Sequence, residues 1–158
     1  MTKTEVRLYR SPRKDEFPDG AVIDNYPAPG VLYPSFEHKT YQQKTAQGHV
    51  TRTREADTLP FPGSDGEMMV APLKGTSLFD REGVFPAKFC WSFAIPEGTD
   101  IPASIVVRHT GRNDRFQAEH YQIEPKAGIM RLDAYKGALD NFARSALVKF
   151  IADSKGKQ

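Results

Sequence analysis

Residues 118–152 read AEHYQIEPKAGIMRLDAYKGALDNFARSALVKFIA, and the change of period inside this stretch decides the fold class. Ala118–Ile123 has the make-up of a strand, and Pro125 ends it. Beyond it Met130, Leu132, Tyr135, Leu139, Phe142, Ala143, Ala146, Leu147, Phe150 and Ile151 recur at helical spacing, which predicts an amphipathic helix over 132–152. No βαβ alternation precedes it, so the expected class is α+β, with a split or bent antiparallel β-sheet and flanking helices.

Outward from that stretch, Ile105–Arg108 reads as a strand, and Gly111-Arg112-Asn113-Asp114 as the turn after it. Phe89, Trp91, Phe93 and Ile95 alternate with Cys90, Ser92 and Ala94, a strand pattern over 89–95 closed by Pro96-Glu97-Gly98. Gly75-Thr76-Ser77-Leu78-Phe79-Asp80 reads as a turn opening a helical step, with Thr76 or Ser77 as its N-cap. Met68–Ala71 is a short strand stopped by Pro72. Residues 14–72 carry prolines at 18, 27, 29, 34, 60 and 62 and read as a loop-rich excursion. Within it the polar, proline-free Tyr41–Asp57 admits a short helix or a disordered loop. At the start, Glu5–Tyr9 alternates and predicts a first strand ending near Arg10.

A chain of 158 residues is expected to form one domain over 1–158. Its 22 Lys and Arg against 20 Asp and Glu give a net charge of +2, which demands no polyanionic partner. The lone Cys90 excludes an internal disulfide and suits a reducing compartment, so cytoplasmic action is expected. Residues 1–10 lack the apolar core of a secretory signal, and no run of about 18 apolar residues occurs, so export is expected without a cleaved signal and no membrane partner is expected.

Stock catalytic patterns are missing: no Gly-x-Ser-x-Gly elbow, no phosphate loop and no His-Glu-x-x-His. His38, His49, His109 and His120 lack metal spacing, so no metal is expected. Cys90, among apolar neighbours, reads as a buried inert thiol.

What remains is an order of three features: Leu8-Tyr9-Arg10 at a strand end, the Thr76-Ser77 pair beside Gly75, and Gln117-Ala118-Glu119-His120-Tyr121 entering a late strand. That order resembles the ADP-ribosyltransferases, and the resemblance implies a split-sheet transferase fold with NAD as substrate. In such a site Arg10 would grip phosphates or ribose with fixed, always-charged donors. Thr76 and Ser77 would hold the nicotinamide ribose by hydroxyl hydrogen bonds, and Gly75 would let backbone approach closely. Phe79 or Trp91 would offer an aromatic face, and Tyr9 and Tyr121 would flank the dinucleotide. Glu119, in Gln117-Ala118-Glu119, would stabilise positive charge developing on the ribose, and His120 or Gln117 would hold substrate.

The runs Gly75–Val84 and Phe93–Pro102, continued through Gln117-Ala118, His120-Tyr121, Ile123, Pro125 and Leu139–Arg144, resemble more closely the type VI secretion exported toxin two family. This implies a growth-arresting effector of the ADP-ribosyltransferase-like class, cytoplasmic in producer and recipient, using NAD to modify an unknown cytoplasmic target. A cognate immunity protein and a secretion-apparatus carrier protein are the implied partners. Two other readings use the same residues: a non-catalytic toxin that occupies a cellular component through its cleft, and an RNA-directed toxin drawing on Arg108, His109, Arg112 and Arg115.

Overall fold

The structure is a computed structural model and describes residues 2–156. Strands β1 (Thr2–Lys3), β2 (Leu8–Arg10), β3 (Val22–Ile23), β4 (Tyr26–Pro27), β5 (Lys39–Thr45), β6 (Gly48–Arg54), β7 (Phe61–Pro62), β8 (Met68–Val70), β9 (Thr76–Phe79), β10 (Phe93–Ile95), β11 (Asp100–Ile101), β12 (Ile105–Asn113), β13 (Ala118–Pro125) and β14 (Met130–Arg131) precede one helix, α1 (Leu132–Lys155). Five strands form an antiparallel sheet in the order β10-β2-β9-β13-β12, and a separate sheet has the order β14-β8-β7. The class is α+β with a split antiparallel sheet, as expected, but one helix is found among the described residues where flanking helices were expected.

Helix α1 exists because its apolar residues fall on one stripe. Tyr135, Ala138, Leu139, Phe142, Ala143, Ala146 and Leu147 are all buried, and they share a core with Leu8, Leu78, Phe93, Ile95 and Ile123 of the five-stranded sheet. Each fully buried Leu or Phe there contributes roughly 2 kcal/mol, which outweighs the missing N-terminal side-chain cap at Arg131. The helix runs three residues past the expected end, and the Lys149–Asp153 pair at 2.8 Å spans that last turn.

Four local expectations need correction. Thr76–Phe79 is a strand between β2 and β13, not a capped helical step, because its hydroxyl and apolar side chains are used across the sheet. Tyr41–Asp57 is neither helix nor loop: Lys39–Thr45 and Gly48–Arg54 pair residue for residue as a hairpin. Of the expected strand 89–95 only Phe93–Ile95 forms, since Phe89 and Cys90 turn back to the Pro86 carbonyl. Gly111–Asn113 is still strand; β12 passes a bulge between His109 and Gly111, and the turn comes at 114–117.

Candidate active site

A cleft of about 720 Å³ opens where β2 and β9 meet the 28–37 segment. Tyr9, Arg10, Ser77 and Phe79 line it, together with Tyr33, Phe36, Phe85, Asp57 and Arg54. The sheet brings Arg10 and Ser77 together because β2 lies beside β9, with Tyr9 opposite Phe79.

Arg10 is the deepest charge in the cleft. One of its terminal nitrogens, Nη1, donates to the Ser77 carbonyl at 3.2 Å, and Nη2 donates to the Tyr33 carbonyl at 3.0 Å. Its Nε is buried without a hydrogen-bond partner. Burial lowers the Arg10 pKa, and the nearby carboxylates of Asp57 and Glu16 work against that. The side chain is thus clamped in orientation while a donor remains unused, an arrangement suited to an anion.

The cleft is mixed in charge, and three of its ions, Arg13, Glu16 and Lys39, are already paired. Arg13 holds Asp15 at 3.0 Å and Lys39 holds Glu16 at 3.3 Å. The Asp57 carboxylate accepts the Ser35 backbone N–H at 2.8 Å. Tyr33 and Phe36 form an aromatic wall with ring centroids 6.0 Å apart, and Phe79 meets Phe85 edge-on at 6.3 Å across from it. Flat aromatic walls around a central cation fit a ligand that has both ring systems and a phosphate bridge.

The wall is tied to the helix by Asp140. Its carboxylate accepts the Gly30 N–H at 3.0 Å and the Tyr33 hydroxyl at 2.7 Å. Burial first, and the Asp140 carboxylate second, push the Tyr33 pKa above its usual value, so the phenol stays a donor. Asp140→Ala is expected to lower stability by about 1–3 kcal/mol, because it strands those two donors. A urea-denaturation midpoint measures the loss, and the freed wall should raise KM for the cleft's ligand more than it lowers kcat.

Thr76 does not line the cleft. It is fully buried, and its hydroxyl donates to the Leu32 carbonyl, holding β9 against the segment that makes the wall. Gly75 is also outside the cleft, packed under the Ile123 carbonyl and the Tyr135 hydroxyl. Tyr135 donates to that carbonyl at 2.7 Å, and burial pushes its pKa up to about 12.

The residues from 117 to 121 are placed differently from the sequence expectation. Gln117 is exposed in the 114–117 turn with φ at +51°. Glu119 gives its carboxylate to His109 at 2.9 Å and Arg112 at 3.5 Å on the neighbouring strand. His120 stands opposite Phe79, with its ring 5.1 Å from that of Phe79 and its Nδ1 against the Thr110 hydroxyl. It therefore backs the cleft through Phe79 without lining it, and burial lowers its pKa, with the Arg108 charge adding to that. Tyr121 stacks on His109 at 4.7 Å and lines a different cavity beside β1 and β11. Glu119→Gln is accordingly expected to leave turnover in the cleft within about twofold, as for a surface change away from a site. A tenfold loss in a steady-state assay would put Glu119 back among the reacting groups.

The arginines near His109 are likewise occupied. Arg108 donates to the buried Glu124 at 3.0 Å, and Arg112 reaches Asp114 and Glu119. Trp91 is fixed outside the cleft lining, donating to the Phe17 carbonyl at 2.7 Å under the Lys14 ammonium. Cys90 is half-buried and lines the cleft, where its apolar neighbours in the sequence had suggested a buried thiol. The sequence pass missed Tyr33, Asp57 and Asp140; the Pro29-Gly30 turn next to two aromatics was the available signal.

Among the described residues no group of three His, Cys, Asp or Glu could hold a metal, and no helix is long and apolar enough to cross a membrane. A family model described as Tse2 ADP-ribosyltransferase toxin matches residues 2–150. The chain is also 35% identical over 160 residues to Toxin Tse2 of Pseudomonas aeruginosa, covering 98% of this chain and 96% of that protein.

Proposed function

Since the chain belongs to the Tse2 ADP-ribosyltransferase toxin family and is a toxin of that class, we propose that NAD, the substrate of the family's reaction, is held in the cleft around Arg10. The observation that carries this reading is the guanidinium clamped by two carbonyls at the floor of the cleft. Each terminal nitrogen spends one proton on a carbonyl and keeps a second, so a pyrophosphate would meet a fork held at a fixed angle.

In this reading Ser77 presents its hydroxyl to the nicotinamide ribose, while Tyr9 and Phe79 flank the rings. Thr76 acts through the wall it anchors, and is a positioning residue. When the bond between nicotinamide and ribose breaks, positive charge develops on the ribose. Asp57 is the cleft carboxylate whose field on Arg10 is largest, and it takes the stabilising role that Glu119 cannot reach. His120 backs Phe79 from behind the site, and Gly75 lets β9 pack closely against β13.

The reading takes residues 1–158 as one toxin domain that arrests growth by modifying a cytoplasmic target in a recipient cell. It includes a cognate immunity protein that covers the cleft and a carrier from the secretion apparatus. Its test is release of nicotinamide from NAD by the purified protein, with and without the variants described below. Growth arrest by a protein that releases no nicotinamide would overturn it in favour of occlusion without chemistry.

A further inference from the structure

Hairpin β5–β6 stands away from both larger sheets, exposed on nearly every residue of both strands. It has no core of its own, so packing cannot explain its composition. The sixteen residues Lys39–Arg54 contain four Lys or Arg and no Asp or Glu, so the remainder of this chain of net charge +2 carries −2. The chain's excess of positive charge is therefore gathered on one arm.

Register puts three of the four cations on one face and Lys44 on the other. Lys39 lies opposite Arg54 and Tyr41 opposite Arg52, so two cation-bearing pairs share the face with an aromatic ring. Tyr41 is 52% exposed. At the base of the arm Lys39 and Arg54 line the cleft itself, so this face runs continuously into the site. The opposite face carries Lys44 with Thr40, Gln42, Thr51 and Thr53, ammonium, hydroxyl and amide groups of the kind that meet phosphate oxygens.

We infer that this hairpin is the acceptor-binding arm of the enzyme, and that the acceptor it delivers to the cleft is a nucleic-acid strand. Arginines and a lysine track the phosphates, and Tyr41 gives a stacking platform for an unpaired base. A protein partner would need an apolar patch at the centre of the contact, and the hairpin's exposed large apolar residues are Tyr41 and Val50 alone. The inference rests on the NAD reading for its chemistry. An oxygen or nitrogen of the strand attacks the carbon of the ribose that bears nicotinamide and forms the new glycosidic bond. Nicotinamide leaves with the electron pair of the broken bond, and the acceptor's proton passes to solvent.

The test uses the full chain and fluorescein-labelled single-stranded RNA and DNA of mixed sequence. Anisotropy should show binding that weakens by about 15-fold between 50 and 200 mM salt, as for roughly three neutralised phosphates. The double variant Tyr41→Ala with Arg52→Ala avoids the cleft-lining residues. It should bind about tenfold or more weakly, with nicotinamide release and circular dichroism unchanged. With radiolabelled NAD, the wild type should label the oligonucleotide, and preference for RNA or DNA identifies the source. Equal binding by wild type and double variant overturns the inference, as does label that appears on protein while both oligonucleotides stay unlabelled. Hairpin-dependent binding by a wild type that releases no nicotinamide overturns the NAD reading and supports the arm.

Discussion

Arg10→Ala is expected to cut nicotinamide release by about 10²–10³-fold, the usual loss when one preorganised donor to developing or bound charge is removed. The size follows from burial: a guanidinium out of water binds an anion far more strongly than an exposed one. The variant also frees the carbonyls of Ser77 and Tyr33 that Arg10 holds, so it needs a partner. Arg10→Lys keeps the charge and loses the fork, because one ammonium cannot reach both carbonyls and still present a sideways donor. It should recover only part of the folding stability lost in Arg10→Ala, one carbonyl still being unpaired, while recovering little turnover. Full activity in Arg10→Ala, with thermal melting unchanged, would mean that the substrate lies elsewhere.

The second large effect is on the fold. A Cβ built on Gly75 would lie 1.8 Å from the Ile123 carbonyl oxygen and 2.6 Å from the Tyr135 hydroxyl. Both exceed what side-chain adjustment can absorb, since the nearer atom is backbone in β13, an interior strand of the five-stranded sheet. Gly75→Ala should therefore cost about 3–5 kcal/mol, as a large steric insertion into a packed centre does. Urea denaturation reads the loss. Adding Tyr135→Phe removes the hydroxyl but not the carbonyl, and so should not rescue. Gly48→Ala is the contrast: nothing lies within 4 Å of its Cβ, and its cost should be that of its positive φ alone, about 1 kcal/mol.

Much of the architecture was readable because it rests on repeating patterns. The helix from Leu132 and the strand from Ala118 announce themselves by apolar period, and both form where expected. Thr76-Ser77 misled because a hydroxyl after glycine signals a helix cap, whereas here the Thr76 hydroxyl bonds to Leu32, 44 residues away. No local rule contains that partner. The β5–β6 hairpin was unreadable for the opposite reason: with both faces in water it has no apolar alternation to detect.

The site divides along the same line. Tyr9, Arg10, Ser77 and Phe79 line one cleft, which their place in the sequence suggested. Glu119 and Tyr121 are directed instead to the His109 side of the sheet. The difference lies in which cross-strand neighbour each side chain meets, and that is set by the β12–β13 register. The wall residues Tyr33 and Asp57 come from a proline-rich segment whose path depends on Asp140 and Thr76.

The order of the central sheet also fixes when the toxin can become active during its own synthesis. Strand β2 is sandwiched between β9 and β10, so its two neighbours leave the ribosome only after about 65 and about 82 further residues. The core face then waits for α1, which follows every strand in the chain. Contacts this distant in sequence form late, and Arg10 meets the Ser77 carbonyl across 67 residues. A nascent chain that stops short of Ser77 consequently has the arginine but no cleft around it, and the cell that makes the toxin meets the assembled site only after β9 and α1 have emerged.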